Sequence, residues 1–252
     1  MHPSCPVCGG SCVALDEVDF NKSCEEARGT HLLPSGIAVQ YLLCEQCGFA
    51  FAPQFAAWSL EDFASRIYND GYAAVDPDYL DARPRANAQM LLELLELLAA
   101  RGPEIRHLDY GGGSGLLSAL LRGQGWNSAS YDPFVDRDLR PETLGRFDLV
   151  TCFEVFEHVP DVHQLMASLS SLAAEDGIVL FSTMLSDGNI RAGERPDWWY
   201  AAPRNGHISL FSRKSLAILC ARAGFSFGSF STGFHAMWKT VPAWAAHFLR
   251  PA

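Results

Sequence analysis

Residues 107–115 read His-Leu-Asp-Tyr-Gly-Gly-Gly-Ser-Gly and stand between an apolar run and an apolar helical pattern. Few folds accommodate such a segment. A strand that breaks into glycines and re-forms as a helix brings bare amides and the helix's positive end to one point, the usual seat of a nucleotide-type ligand. Gly111, Gly113 and Gly115 allow a tight turn and a close backbone approach. The turn alone suits a nicotinamide dinucleotide as well as any other adenosine ligand.

Strands and helices alternate around and beyond the glycines. From Glu104 onward the pattern predicts strands at Ile105–Tyr110, Ser128–Tyr131, Phe147–Phe153 and Ile178–Thr183. Helices are predicted at Leu116–Arg122, Val162–Ala174 and Ser212–Ala223. That alternation is the mark of a parallel sheet covered by helices. Two aromatic strands, Phe225–Phe230 and Phe234–Trp238, are joined by Ser231-Thr232-Gly233 and read as an antiparallel hairpin closing the sheet. Ahead of this region, residues 54–103 form a helical connector whose last helix runs from about Tyr79 to Ala100 and stops at Arg101-Gly102-Pro103. Three parts are therefore expected: 1–53, 54–103 and 104–252.

Three details around the glycines select among ligands. Asp109 ends its strand immediately before them, where a carboxylate can meet an amino group. Asp132, in Tyr131-Asp132-Pro133, ends the next strand and can take both hydroxyls of a ribose. The strand at Phe147–Phe153 then runs into Glu154-Val155-Phe156-Glu157-His158. These features favour S-adenosylmethionine. From about Leu80 to Lys239 the chain resembles the class I methyltransferases, in the group whose fourth strand ends in Glu-Val-x-Glu-His. The resemblance implies a Rossmann-like α/β fold, with Asp109, Tyr110, Gly111, Gly113, Gly115, Asp132, Pro133, Phe153 and Glu154 about the cofactor. One departure stands out. Only 14 residues lie between Asp132 and Phe147, so the family's usual third strand is shortened or absent and its adenine contact is unassigned.

Cys5-Pro-Val-Cys8-Gly9 and Cys44-Glu-Gln-Cys47-Gly48 are two CxxCG knuckles. Each short loop aims two thiolates at one point, and two loops supply the four ligands of a closed structural zinc site. The competing reading is a set of buried or redox-active thiols. Cys12 and Cys24, then His2 and His31, are the other donors available nearby. The pattern through Cys47-Gly48-Phe49 and Tyr68-Asn-Asp-Gly-Tyr72 is similar to bacterial methyltransferases with a zinc-ribbon N-terminus. Four protein ligands leave no open position, so such a zinc would stabilise folding.

Methyl transfer to a hydroxyl needs alignment and a proton acceptor, and a histidine suits the second role. His207, in a Trp198-Trp199-Tyr200…His207…Phe211-Ser212 context, and His158 are the candidates. Each has a plainer alternative: His158 fixing a turn through a carbonyl, His207 packing beside a helix capped by Ser212. Glu154 and Glu157 either cap the following turn or meet ligand. The polar span from Met184 to Asn205 suits a mobile cover, and the two tryptophans and Tyr200 either face substrate as part of it or belong to the core. His235, Cys152 and Cys220 sit in apolar contexts and are expected in the core.

Net charge is −10, with 19 Lys and Arg against 29 acids, which disfavours nucleic acid and an anionic membrane surface as partners. The N-terminus has no signal-peptide pattern and no stretch is apolar enough to span a bilayer, so a cytoplasmic protein is expected. The resulting expectation is a methyltransferase acting on a small molecule or sugar precursor, through oxygen. The rivals are a ribosomal-RNA base methyltransferase, a deoxysugar C-methyltransferase, and a cofactor-binding scaffold without turnover. Oligomeric state has no signature in the sequence.

Overall fold

The computed structural model describes residues 3–97, 104–246 and 249. In chain order its strands are β1 (Cys12–Asp19), β2 (Ala38–Cys44), β3 (Ala50–Phe51), β4 (Arg106–Tyr110), β5 (Asn127–Tyr131), β6 (Phe147–Phe153), β7 (Ala173–Ser182), β8 (Ser209–Leu210), β9 (Ser226–Ser229) and β10 (Phe234–Trp238). Its helices are α1 (Leu60–Arg66), α2 (Ala82–Leu97), α3 (Leu116–Gly123), α4 (Val162–Leu172) and α5 (Arg213–Arg222). The proposed stop at Arg101-Gly102-Pro103, like His2, lies outside the described residues.

The chain divides into two compact units, and neither is a single stretch. One comprises Met1–Pro77, Phe156–His163 and Thr183–Leu219; the other comprises Asp78–Val155, Gln164–Ser182 and Cys220–Ala252.

The second unit is built on a six-stranded sheet in the order β5-β4-β6-β7-β10-β9. Its first four strands run parallel, and β10 pairs antiparallel with both β7 and β9, giving the expected terminal hairpin. Strand β6 is almost wholly buried along its length, as a parallel strand covered on both faces must be. Between β5 and β6 there is a turn of 3-10 helix at Pro141–Leu144 and no strand, so the short link has indeed removed one. Helix α3 turns Leu117 and Leu121, one helical turn apart, into the core. Helix α2 contributes Ala88, Leu91 and Leu95 to the same cluster with Trp126, Leu149 and Ile178. Leu91 is 0% exposed, and truncating such a side chain to alanine costs about 2–5 kcal/mol. One boundary differs from expectation: Ala173 and Ala174 belong to β7, where Ala173 pairs with Phe147, instead of prolonging α4. Cys152, Cys220 and His235 are fully buried, as their contexts implied.

The first unit carries an antiparallel sheet ordered β1-β2-β3-β8. Its last strand comes from far along the chain: Ala50 pairs with Leu210 and Phe51 with Ser209. Phe49 and Phe211 pack with ring centroids 4.9 Å apart, and Phe156 lies 5.9 Å from Phe211. Three separate segments thus share one aromatic core. No helix among the described residues is long and apolar enough to cross a membrane.

Candidate functional site

Strand β4 delivers Asp109 and Tyr110 to the edge where the glycines begin. Gly111, Gly113 and Gly115 all take positive φ, at 77°, 54° and 76°, a region that side chains other than glycine rarely adopt. Gly112 matters for another reason. A Cβ there would lie 2.3 Å from Ser130 Oγ and 2.7 Å from Asp109 Oδ2, so only glycine fits against these two side chains. The expectation from sequence passed over Gly112 because its role is a close approach, which no turn signal announces.

Asp109 is buried, and its Oδ1 accepts from Thr151 Oγ1 at 2.7 Å. Desolvation pushes its carboxyl up to about 6, with the nearby Asp132 charge adding to the rise and the Thr151 hydroxyl opposing it. Asp132 follows β5 and uses both oxygens on backbone. Its Oδ2 accepts from Gly113 N at 3.0 Å and its Oδ1 from Phe134 N at 2.8 Å. The carboxylate therefore holds the glycine loop and the start of the next turn together. Tyr110 and Tyr131 pack with rings 5.4 Å apart beneath this edge, and burial pushes the Tyr110 phenol up. Pro133 is half-buried at the turn. Phe153 belongs to the buried cluster, its ring 6.1 Å from that of Phe234.

At the end of β6, Glu154 has φ 53°, a strained conformation for a residue with a side chain. Ser182 supports it twice. The Ser182 hydroxyl accepts from Glu154 N at 2.8 Å and donates to Glu154 Oε1 at 2.7 Å. This twist sends Val155 over the glycine loop, where a Cβ on Gly111 would lie 2.4 Å from Val155 Cγ2.

The other unit holds the two histidines, and they meet: the rings of His158 and His207 are 4.9 Å apart. Glu157 is wholly buried between their segments and accepts from Tyr200 Oη at 2.5 Å. His158 Nε2 lies 3.9 Å from Glu157 Oε1. Tyr200 is 2% exposed with its ring 4.1 Å from His207, so it is an internal strut and not part of a cover; Trp199, 41% exposed, is the one that faces outward. The Tyr200 carbonyl is 2.9 Å from His207 Nδ1. That nitrogen therefore donates, which leaves the lone pair of the neutral ring on Nε2. Tyr41 Oη donates to the His207 carbonyl at 2.6 Å, and Ile208 N to the Glu157 carbonyl at 2.8 Å. The ligand-capable atoms of Glu157, His158 and His207 lie within 4.8 Å of one another. Ser212 caps α5 as expected, accepting from Ser215 N at 3.0 Å.

The four knuckle sulfurs also converge within 4.8 Å. Cys5 Sγ is 3.6 Å from Cys47 Sγ and Cys8 Sγ 3.4 Å from Cys44 Sγ. Disulfides need about 2.05 Å, whereas a tetrahedral zinc with sulfur at about 2.3 Å has edges near 3.8 Å. The two knuckles repeat one turn: Gly9 N donates to the Cys5 carbonyl at 2.8 Å and Gly48 N to the Cys44 carbonyl at 2.9 Å. Cys12 is adjacent but outside this set, with its thiol pushed up to about 12 by desolvation. Cys24 is elsewhere, its sulfur 3.7 Å from His207 Nδ1, and His31 is exposed. The donor set fits zinc. The glycine edge fits an adenosine cofactor with a free amino group, because uncovered backbone and two carboxylates stand within one loop's reach.

Residues 79–227, more than half of the chain, match the model of a family described as a methyltransferase domain. The ubiquinone biosynthesis O-methyltransferase of Chromobacterium violaceum is 34% identical over 91 residues, 36% of this chain and 39% of that protein. Its counterpart in Pseudomonas syringae is 32% identical over the same length and shares. The match thus spans about two fifths of the length of these curated relatives. Among solved structures, the Burkholderia thailandensis 1,6-didemethyltoxoflavin-N1-methyltransferase, with 1,6-didemethyltoxoflavin and S-adenosylhomocysteine bound, has the same fold. It gives a TM-score of 0.50 at 20% identity and covers 82% of this chain and 96% of its own. By the family match, supported by that fold and by the glycine edge with its two carboxylates, the chain belongs to this methyltransferase-domain family of S-adenosylmethionine-dependent enzymes.

Proposed function

We propose that the chain transfers a methyl group from S-adenosylmethionine to a hydroxyl of a small acceptor. The observation that carries the donor half is the pair of buried carboxylates framing the glycine loop. Asp109 takes the ammonium of the methionine part, Asp132 the ribose hydroxyls, and the amides of Gly111–Gly115 the remaining contacts, with Tyr110, Pro133 and Glu154 around them. When bound, the sulfonium supplies an electrophilic methyl and a good leaving group, so alignment and exclusion of water do much of the rest. The relatives named for ubiquinone biosynthesis support oxygen as the methylated atom and a small molecule as the acceptor.

For the acceptor half, His207 and His158 are the proton-handling residues of this reading. The Tyr200 carbonyl holds His207 with Nε2 as the basic nitrogen, and Glu157 lies beside His158. The acceptor hydroxyl would give its proton to imidazole as the new O–CH3 bond forms and the S–CH3 bond breaks. A second reading uses the same atoms. Glu157, His158 and His207 are spaced as ligands of a divalent cation, which would orient the acceptor's oxygen.

The four cysteines complete the proposal as a structural zinc site in an N-terminal module of residues 1–53, with 54–103 as connector and 104–252 as the catalytic domain. The Glu154–His158 stretch supports a reading of the chain as a member of the Glu-Val-x-Glu-His group, and reduced, metal-held thiols suit the cytoplasm.

The test begins with calorimetric titration of S-adenosylhomocysteine, then a screen of small phenols, catechols and sugars for methylated product. His207→Asn and His158→Gln should lose turnover by about 100-fold with donor affinity retained. Restoration of wild-type activity by added magnesium or manganese after EDTA would select the cation reading. Undiminished turnover in both histidine variants would sink both readings of this cluster.

A further inference from the structure

Asp109 is held by a chain of three side chains, one on its own strand and one on each neighbouring strand. Ser128 Oγ lies 2.7 Å from His107 Nδ1, and His107 Nε2 lies 3.0 Å from Thr151 Oγ1. Thr151 Oγ1 in turn donates to Asp109 Oδ1 at 2.7 Å. The sheet register builds this. His107 is paired with Ser128 on β5, Asp109 with Thr151 on β6, and His107 and Asp109 share a face two residues apart on β4. All of His107, Thr151 and Asp109 are essentially inaccessible.

The polarity of the chain is fixed from its end. A carboxylate only accepts, so Thr151 spends its proton on Asp109 and must accept from His107. The imidazole is then the Nε2–H tautomer, and its Nδ1 accepts from Ser128. Burial pushes the His107 imidazole down to about 3, with no opposing partner, so it stays neutral and keeps that tautomer at any working pH. Nothing in binding an amino acid requires a histidine in the sheet interior; a valine would fill the space more cheaply. Its presence wants an explanation.

We propose that Ser128, His107 and Thr151 are positioning residues for the cofactor: they aim one proton at Asp109 Oδ1, keeping the carboxylate ionised and leaving Oδ2, beside Gly112, for the ammonium of the donor. The proposal rests on the reading of Asp109 as the donor's anchor. The charge facing Asp109 is Asp132, which follows β5; His107 on β4 is neutral, and Thr151 from β6 is the hydrogen-bond donor. Losing that donor removes the interaction that opposes protonation.

Thr151→Val, Thr151→Ser and His107→Gln test this by calorimetric titration of S-adenosylhomocysteine between pH 6 and 7.5. The titration of the ligand's own amino group is common to every variant and cancels in ratios. Wild type should bind with an acid limb near pH 6. If Thr151→Val raises the Asp109 carboxyl by about one unit, its Kd ratio to wild type is about fourfold larger at pH 6 than at pH 7.5. Thr151→Ser should restore the wild-type profile, and His107→Gln should give an intermediate shift. A carbon-13 titration of the Asp109 carboxyl without ligand reads the same displacement independently of binding. A ratio independent of pH, or an unmoved carbon-13 titration, overturns the proposal and leaves the three residues as packing. Wild type binding no S-adenosylhomocysteine at any pH while the carbon-13 shift appears would instead retire Asp109 as anchor, and the positioning role with it.

Discussion

The glycine-loop unit and the knuckle unit bury polar groups by different means. In the first, Ser128, His107, Thr151 and Asp109 meet because parallel strands set them side by side in register, so neighbouring ladders supply each partner. In the second, Tyr41, Glu157 and the Tyr200–His207 pair come from three separate segments, and each contact between segments closes a long stretch of chain. Register places groups at little entropic cost once the sheet exists. Assembly from distant segments needs something else to hold them, and the cysteine knuckles are fastened to those segments. Ser212 Oγ donates to the Cys47 carbonyl, Lys214 Nζ to the Gln46 carbonyl at 2.5 Å, and His163 Nε2 to the Pro6 carbonyl at 2.7 Å.

The sharpest break of this comparison is removal of the zinc proposed for the four cysteines. Structural zinc contributes an apparent binding free energy of about 10–16 kcal/mol in small domains, more than the stability of most proteins. Chelation, or Cys44→Ser with Cys47→Ser, should expose Phe49, Tyr41 and their neighbours to rapid hydrogen exchange while β4 and β6 remain protected. Loss of protection across both units at once would show that the difference between them is only one of topology. Next in size is Asp132→Ala, which frees the amides of Gly113 and Phe134 together. Two lost charge-assisted bonds should weaken S-adenosylhomocysteine binding by about 30-fold or more. Exchange protection of the knuckle unit should not change.

The same contrast explains what was legible in the sequence. Asp109, the glycines and Asp132 lie within one βαβ segment, where motif, strand end and helix start are read in a line, and the antiparallel hairpin announced itself through Ser231-Thr232-Gly233. The knuckles are likewise local patterns. His158 and His207 could be named singly, but Glu157 and Tyr200 could not be tied to them, since 43 residues separate that hydrogen-bonded pair. Tyr200 beside two tryptophans looked like a cover because aromatic clusters look alike wherever they end up. Strand β8 is two residues long and carries no periodicity. In the sequence His107 is only one position of a strand, and its role depends on Ser128 and Thr151 from two other strands.

Tyr200→Phe sharpens the comparison from the knuckle side. It removes the donor to a fully buried carboxyl, a loss of about 1.5–3 kcal/mol for a bond of this kind, at nearly constant volume. Urea unfolding followed through the knuckle unit should show that decrease. Donor affinity should stay within twofold of wild type, since Tyr200 belongs to one unit and Asp109, Asp132 and the glycine loop to the other. A comparable drop in donor affinity would mean the two polar clusters act as one.

The smallest effect is one of opposing signs inside the relay itself. The folded imidazole of His107 titrates near 3, against about 6.5 when unfolded, so its contribution is whole above pH 6.5 and falls as pH falls toward 3. Asp109 works the other way. Its folded carboxyl, raised to about 6, binds a proton before the unfolded one does, so stability is gained as pH falls through 6 and is complete below about 3.8. Between pH 7.5 and 5.5 the two oppose each other. Asp109→Asn removes the compensating gain and should steepen the acid loss to on the order of 1 kcal/mol over that interval. His107→Gln removes the loss and should reverse its sign, giving a gain on acidification. Urea midpoints at the two pH values read the sign directly. Equal slopes in all three proteins would mean that the relay carries no proton linkage, and that its hydrogen bonds fix geometry alone.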